Sequence, residues 1–199
     1  MNKIRMMGAP TGWITNTPGV NSVSVAEMAI GLIFAVVRAI PLSDKRMREG
    51  TWQHPPAFEL QGKTIGLLGL GAIGAYTAKL AAGLGMKPIA WSWNQDPTRA
   101  ERLGVELVDR DDVFRRSDIV SVHLKNTPEA RGSVGARELS LMKPSSILIN
   151  TARAAILDQD AVVEALKSGQ IAGAGMVANI QVMNEAPKVR TGLPRPPGT

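Results

Sequence analysis

From residue 61 onward, short apolar runs of strand length alternate with longer mixed runs of helix-forming composition. Residues 64–68 are apolar and partly β-branched, and 72–84 follow with helical composition. Strands are predicted at 87–92, 106–108, 119–124, 146–150 and 171–177, the last with small residues that permit close packing. Helices are predicted at 111–116, with acidic residues where the dipole prefers them, at 138–142, stopped by Lys143-Pro144, and at 158–168, closed by Gly169. Strand–helix alternation of this kind predicts an α/β fold, a doubly wound parallel sheet with right-handed crossovers. Its strand C-termini then share one edge, where ligands bind.

The N-terminal part reads differently. Residues 1–15 are irregular, and Asn16-Thr17-Pro18-Gly19 has turn chemistry. A long helix starts at Ser22 or Ser24, with Ser24 and Glu27 spaced as a capping box. Residues 25–40 are apolar nearly all round, so this helix calls for burial in a core or a subunit interface. Pro41 is expected to stop it, residues 43–49 form a second, charged helix, and 50–61 form a linker. Past residue 178 the periodicity fails, and the proline-rich stretch 179–199 reads as a mobile tail.

Composition narrows the classes. The 199 residues are 44% hydrophobic and 20% charged, enough for one full domain. Cysteine is absent, which removes disulfides, thiolate catalysis and Cys-ligated metal; no metal site is expected. The net charge of +6 is scattered and aromatics are 4%, so solvated surface charge is favoured over nucleic-acid binding. The N-terminus lacks a secretory pattern, and the apolar stretch at 28–37 is too short to span a bilayer. The expectation is a soluble, cytoplasmic protein.

The most informative segment joins the first strand of the alternating region to its helix. Gly69, Gly71 and Gly74 have G-x-G-x-x-G spacing directly after the strand. The first glycine permits a tight turn, the second lets backbone approach a pyrophosphate, and the third lets helix pack on strand. The helix N-terminus at Ala72 and Ile73 offers N–H groups and a positive dipole end to phosphate. Residues 16–178 thus read as a dinucleotide-binding domain, 1–15 as an irregular remnant. The carboxylate that should end the second strand and hold a ribose is replaced by Ser92, with Asn94 nearby. Neither repels a 2′-phosphate, and Arg99 and Arg102 would attract one. The cofactor is NAD or NADP, with NAD slightly favoured.

Several motifs in order then resemble one family, the D-isomer-specific 2-hydroxyacid dehydrogenases. They are Asn16-Thr17-Pro18-Gly19 with Ser24-Val25-Ala26-Glu27, Arg48-Glu49-Gly50-Thr51-Trp52, the glycine turn, residues 118–124 followed by Thr127-Pro128-Glu129, Leu141-Met142-Lys143-Pro144, and Ile149-Asn150-Thr151-Ala152-Arg153. The resemblance implies hydride transfer between a nicotinamide and C2 of a 2-hydroxy or 2-keto acid. It implies that Arg153 holds the substrate carboxylate, as a planar charged fork suits. It places His123, Thr127, Thr151 and Ala152 beside the cofactor, His123 through its backbone and not as the catalytic histidine. Val25 and Asn21 match positions that reach the active-site cleft, Val25 toward cofactor and Asn21 toward substrate. His54, beside two prolines, reads as structural or exposed. The long helix resembles the family's dimer interface, which implies a homodimer.

The chain departs from the family after Met176. The family's Asp position is Val177, its Glu position is Val182, and no residue stands for its Pro-His pair. The sequence reads as a cofactor domain truncated at both ends, expected to bind dinucleotide and turn over slowly or not at all. The alternative is a non-catalytic dinucleotide-binding interaction module, like the corepressor within the family. Other doubly wound enzymes fit less well: the lone Tyr76 has Leu80, not Lys, four residues on, as short-chain reductases would require.

Overall fold

A computed structural model describes residues 19–52 and 58–177, together with the backbone of 3–4 and 14–15. The expected turn at 16–18, His54 and the tail at 179–199 lie outside the described residues. Lys3–Ile4 (β1) pairs antiparallel with Ile14–Thr15 (β2), inside the segment that reads as irregular.

Ser22–Val37 forms helix α1 and Ile40–Arg48 forms α2. Two local expectations fail here. The capping box at Ser24 does not form: Gly19 takes a positive φ of 81°, the chain turns earlier, and Asn21 is the N-cap without a side-chain bond. Nor does Pro41 stop the helix. The break is Ala39, left-handed at φ 48°, and Pro41 sits in the first turn of α2, where its missing N–H has no intrahelical role.

The rest follows the alternating pattern. It runs β3 Thr64–Leu68, α3 Ala72–Gly83, β4 Lys87–Trp91, α4 Pro97–Leu103, β5 Glu106–Leu107, α5 Arg110–Arg116 and β6 Ile119–Val122, then α6 Ala136–Ser140, β7 Ile147–Asn150, α7 Gln159–Lys167 and β8 Gly173–Met176. Helix α4 is unanticipated, although Asp96-Pro97 at its start and Gly104 at φ 64° past its end are a cap, an N1 proline and a C-terminal glycine in sequence.

Strand order is β5-β4-β3-β6-β7-β8, all parallel. The order reverses between β3 and β6, the switch point of a doubly wound sheet. Alternate strand residues serve two cores. Ile65 and Leu67 of β3 face α1, α3 and α4, with Ala29, Ile33, Ala78 and Ala100. Leu68, Val120, Val122 and Leu148 face α5, α6 and α7, with Phe114, Leu139 and Val162. Such two-sided burial is why these strands read as continuous apolar runs.

Helix α1 lies against β8 because that strand is built of small residues. A Cβ on Gly173 would stand 2.8 Å from Val36 Cγ1, and one on Gly175 would stand 3.1 Å from Leu32 Cβ. The inner stripe Ala26, Ala29, Ile33 and Val37 is buried, while Met28 on the outer side is 50% exposed. The helix is therefore buried on one side only, less than its sequence asks for.

Candidate functional site

The strands of the switch point end side by side. His123 N–H donates to Leu68 O at 2.8 Å, so the chain leaving β6 crosses directly over the turn leaving β3. That turn is glycine-built for steric reasons. Gly69 has φ 102°, and a Cβ there would stand 2.9 Å from the His123 carbonyl oxygen. A Cβ on Gly74 would collide with the Gly69 carbonyl oxygen. At Gly71 the situation is opposite: a Cβ would meet no protein atom within 4 Å and would only fill the open cradle above the turn. Helix α3 begins there with no side-chain cap, so the first N–H groups, at Ala72 and Ile73, and the positive dipole end face that cradle.

Ser92 closes one side of the turn. Gly69 N–H donates to Trp91 O at 2.7 Å, and Leu70 N–H donates to Ser92 Oγ at 2.6 Å. The Ser92 hydroxyl thus has a structural partner that the sequence does not announce. Asp96, the nearest carboxylate after β4, caps α4 by accepting from Arg99 N–H at 2.9 Å. Arg102 Nε is turned back to Thr98 O.

Beside the turn, toward β7, is a cavity of about 370 Å³. Its wall brings together Asn21 and Val25 at the start of α1, Ile73 at the start of α3, and His123, Thr151, Ala152 and Arg153. These residues are far apart in sequence. Leu124, Lys125 and Asn126 also line it and went unsingled in the sequence, though their place just past a strand C-terminus was the available signal. Thr127 is not part of this wall; it is the N-cap of the 3₁₀ turn Pro128–Ala130.

Asn150, fully buried at the end of β7, shapes the loop that carries Arg153. Its Oδ1 accepts from Ala152 N–H at 2.9 Å, and its Nδ2 donates to Arg153 O at 3.0 Å. One side chain thereby pins both ends of the turn. Arg153 itself is exposed; its Nη1 donates to Ala152 O at 2.9 Å, and among the described residues it has no carboxylate partner. His123 is held from beneath: its Nε2 lies 2.9 Å from Ser121 Oγ, and burial pushes its pKa down to about 4. The ring is therefore neutral at physiological pH, which suits a packing and positioning group better than a proton carrier. Among the described residues no cluster of His, Asp or Glu is arranged to hold a metal ion. No single described helix is long and apolar enough to cross a membrane.

A reversing parallel sheet with an open glycine cradle and an uncapped helix start defines a nucleotide-binding α/β domain. Residues 30–186 match the family described as D-isomer specific 2-hydroxyacid dehydrogenase, NAD binding domain, and the chain belongs to that family. It is 43% identical over 173 residues to a glyoxylate reductase of Thermococcus litoralis, covering 82% of this chain and 52% of that protein. It is 39% identical over 165 residues to a D-3-phosphoglycerate dehydrogenase of Archaeoglobus fulgidus, covering 82% and 31%. Among solved structures it superposes on a D-isomer specific 2-hydroxyacid dehydrogenase from Lactobacillus delbrueckii in its NAD complexed form. That match has a TM-score of 0.75 and 32% identity, over 82% of this chain and 51% of that one. It also superposes on an acyclic imino acid reductase in complex with NADPH and D-Arg, with a TM-score of 0.73 and 34% identity, over 79% and 51%. The chain spans about half the length of the glyoxylate reductase and a third of the D-3-phosphoglycerate dehydrogenase.

Proposed function

We propose that this chain binds a nicotinamide dinucleotide across the β3–β6 switch point and serves an enzyme that interconverts 2-hydroxy and 2-keto acids. The observation that carries the reading is the cradle over Gly71, empty of protein and faced by the uncapped start of α3. A pyrophosphate suits it in charge and hydrogen bonding. In this reading Gly69, Gly71, Ala72, Ile73 and Gly74 hold the pyrophosphate, and Ser92 meets the adenosine ribose. Val25, His123, Thr151 and Ala152 border the nicotinamide half, with Thr127 just beyond. Asn21 and Arg153 face the acid, Arg153 through its guanidinium fork. When bound, the nicotinamide supplies or accepts the hydride at C2. Both NAD and NADP fit a strand end without a carboxylate.

The test is calorimetric titration with NADH and NADPH, followed by NADH oxidation with glyoxylate as the first keto acid. Saturable binding is expected; binding of neither cofactor defeats the reading. Where glyoxylate is turned over, Arg153→Ala should lower kcat/KM by about 10- to 100-fold, the worth of a charge-assisted hydrogen bond, and leave NADH affinity unchanged.

A second reading, a non-catalytic interaction module, is favoured by one feature. Val177 stands exposed where the family resemblance calls for Asp. Cofactor binding with no turnover of any keto acid would support it. In both readings we assign the outer face of α1 to a homodimer.

A further inference from the structure

Trp93 directly follows Ser92 and leaves 58% of its surface open. The ring is nevertheless held. It meets Trp91 edge to face, with centroids 4.7 Å apart and planes at 66°. Trp91 is packed on the core under α5, and the Arg110 guanidinium lies 5.7 Å from its ring centre. Arg110 is itself fixed by Glu138 at 2.9 Å and by the Ser133 carbonyl. This chain of contacts orients an indole and leaves much of it uncovered. Its neighbours in sequence touch the glycine turn, through Trp91 O and Ser92 Oγ. A large, oriented, open aromatic beside a nucleotide cradle has the properties of a stacking surface, since every base offers a π face to it.

We propose that Trp93 is the platform on which the adenine base of the dinucleotide stacks, an inference that rests on the cofactor reading above. It adds a contact to the base at a strand end where Ser92, whose Oγ accepts from Leu70 N–H, offers the ribose a neutral hydroxyl in place of a carboxylate. Stacking ignores the 2′ position, so its contribution is the same for NADH and NADPH.

The experiment compares wild type, Trp93→Ala and Trp93→Phe by calorimetry with NADH, NADPH, ADP-ribose and nicotinamide mononucleotide. Trp93→Ala should weaken NADH and ADP-ribose by about tenfold and leave nicotinamide mononucleotide within about twofold, while Trp93→Phe keeps most of the affinity. Trp93 is exposed, so its loss spares the core, and unchanged melting temperatures check this. Unaltered NADH affinity in Trp93→Ala overturns the platform and leaves the cofactor reading standing. Equal losses for ADP-ribose and nicotinamide mononucleotide also overturn it, because they report a distorted turn. A wild-type chain that binds none of the four probes overturns both.

Discussion

At the residue scale, two glycines of one motif answer to different masters. Gly69 is required by the protein: its φ of 102° and the nearby His123 carbonyl leave no room for a side chain. At Gly71 a Cβ would meet no protein atom within 4 Å, so in the cofactor reading only the dinucleotide requires a glycine there. Gly69→Ala is expected to destabilise the fold by about 1–3 kcal/mol, as a strained backbone does. Gly71→Ala should cost about 1 kcal/mol or less, an N-cap effect, yet weaken NADH binding at least as much as the strained variant. Thermal melts and NADH titrations of the pair separate the two roles. His123 supplies a pH prediction. Its folded pKa of about 4 lies below the ordinary 6.5, so the unfolded chain takes up its proton first as pH falls. Stability from this group is complete above pH 6.5 and declines between 6.5 and 4, by at most about 3 kcal/mol since the ring keeps some exposure. His123→Gln should flatten that slope in urea titrations at pH 7 and pH 5; an unchanged slope would assign the acid sensitivity to other groups.

At the element scale, the strands of the switch point are joined at both ends. The C-terminal ends meet through Leu68 and His123, and the N-terminal ends through Asp118. Its carboxylate accepts from Thr64 N–H at 2.9 Å and from Lys143 Nζ at 2.9 Å, tying β3, β6 and the approach to β7. Burial pushes its pKa up, but these two bonds together outweigh burial and hold it below the usual carboxylate value. The contribution is therefore present above the unfolded pKa and is lost as pH falls through the folded one. Asp118→Ala should destabilise by about 2–3 kcal/mol at pH 7, leaving the Thr64 N–H without its partner, and by less at pH 3; chemical denaturation at both pH values checks it. Helix α1 carries the other prediction at this scale. Met28→Lys on its outer face should leave the melting temperature of the isolated chain within a few degrees and shift a dimer to monomer in sedimentation. A wild type that sediments as a monomer at micromolar concentration would remove the dimer assignment.

At the scale of the whole molecule, the division between sequence and tertiary structure follows the range of the forces involved. Local signals were enough for the element order and the fold class. Apolar runs between glycines and prolines marked β3, β4, β6 and β7, and the spacing of Gly69, Gly71 and Gly74 marked the strand–turn–helix context that follows β3. Family motifs carried the choice of Arg153 and the loop before it. What those signals missed was also local but weaker: Asp96-Pro97 and Gly104 framed a short helix with too few apolar positions to show a period. Helix α1 starts at Ser22, one of the two starts the sequence allows, while its N-cap is Asn21 and not Ser24, a local outcome of the turn at Gly19. Other features depended on residues distant in the chain. Ser92 was claimed by Leu70, and Asn150 took hold of the Arg153 loop, because hydrogen-bond partners are settled only when strands lie side by side. The cavity joining Asn21, Val25, His123 and Arg153 exists only in the assembled sheet. The sequence by itself determined the alternating strands from Thr64 onward, their parallel winding and the kind of turn at the first of them. Only the tertiary structure decided which side chains share the cleft, which polar groups already have protein partners, and that Trp93 stands open past the end of β4, since packing and partner choice are properties of the folded whole.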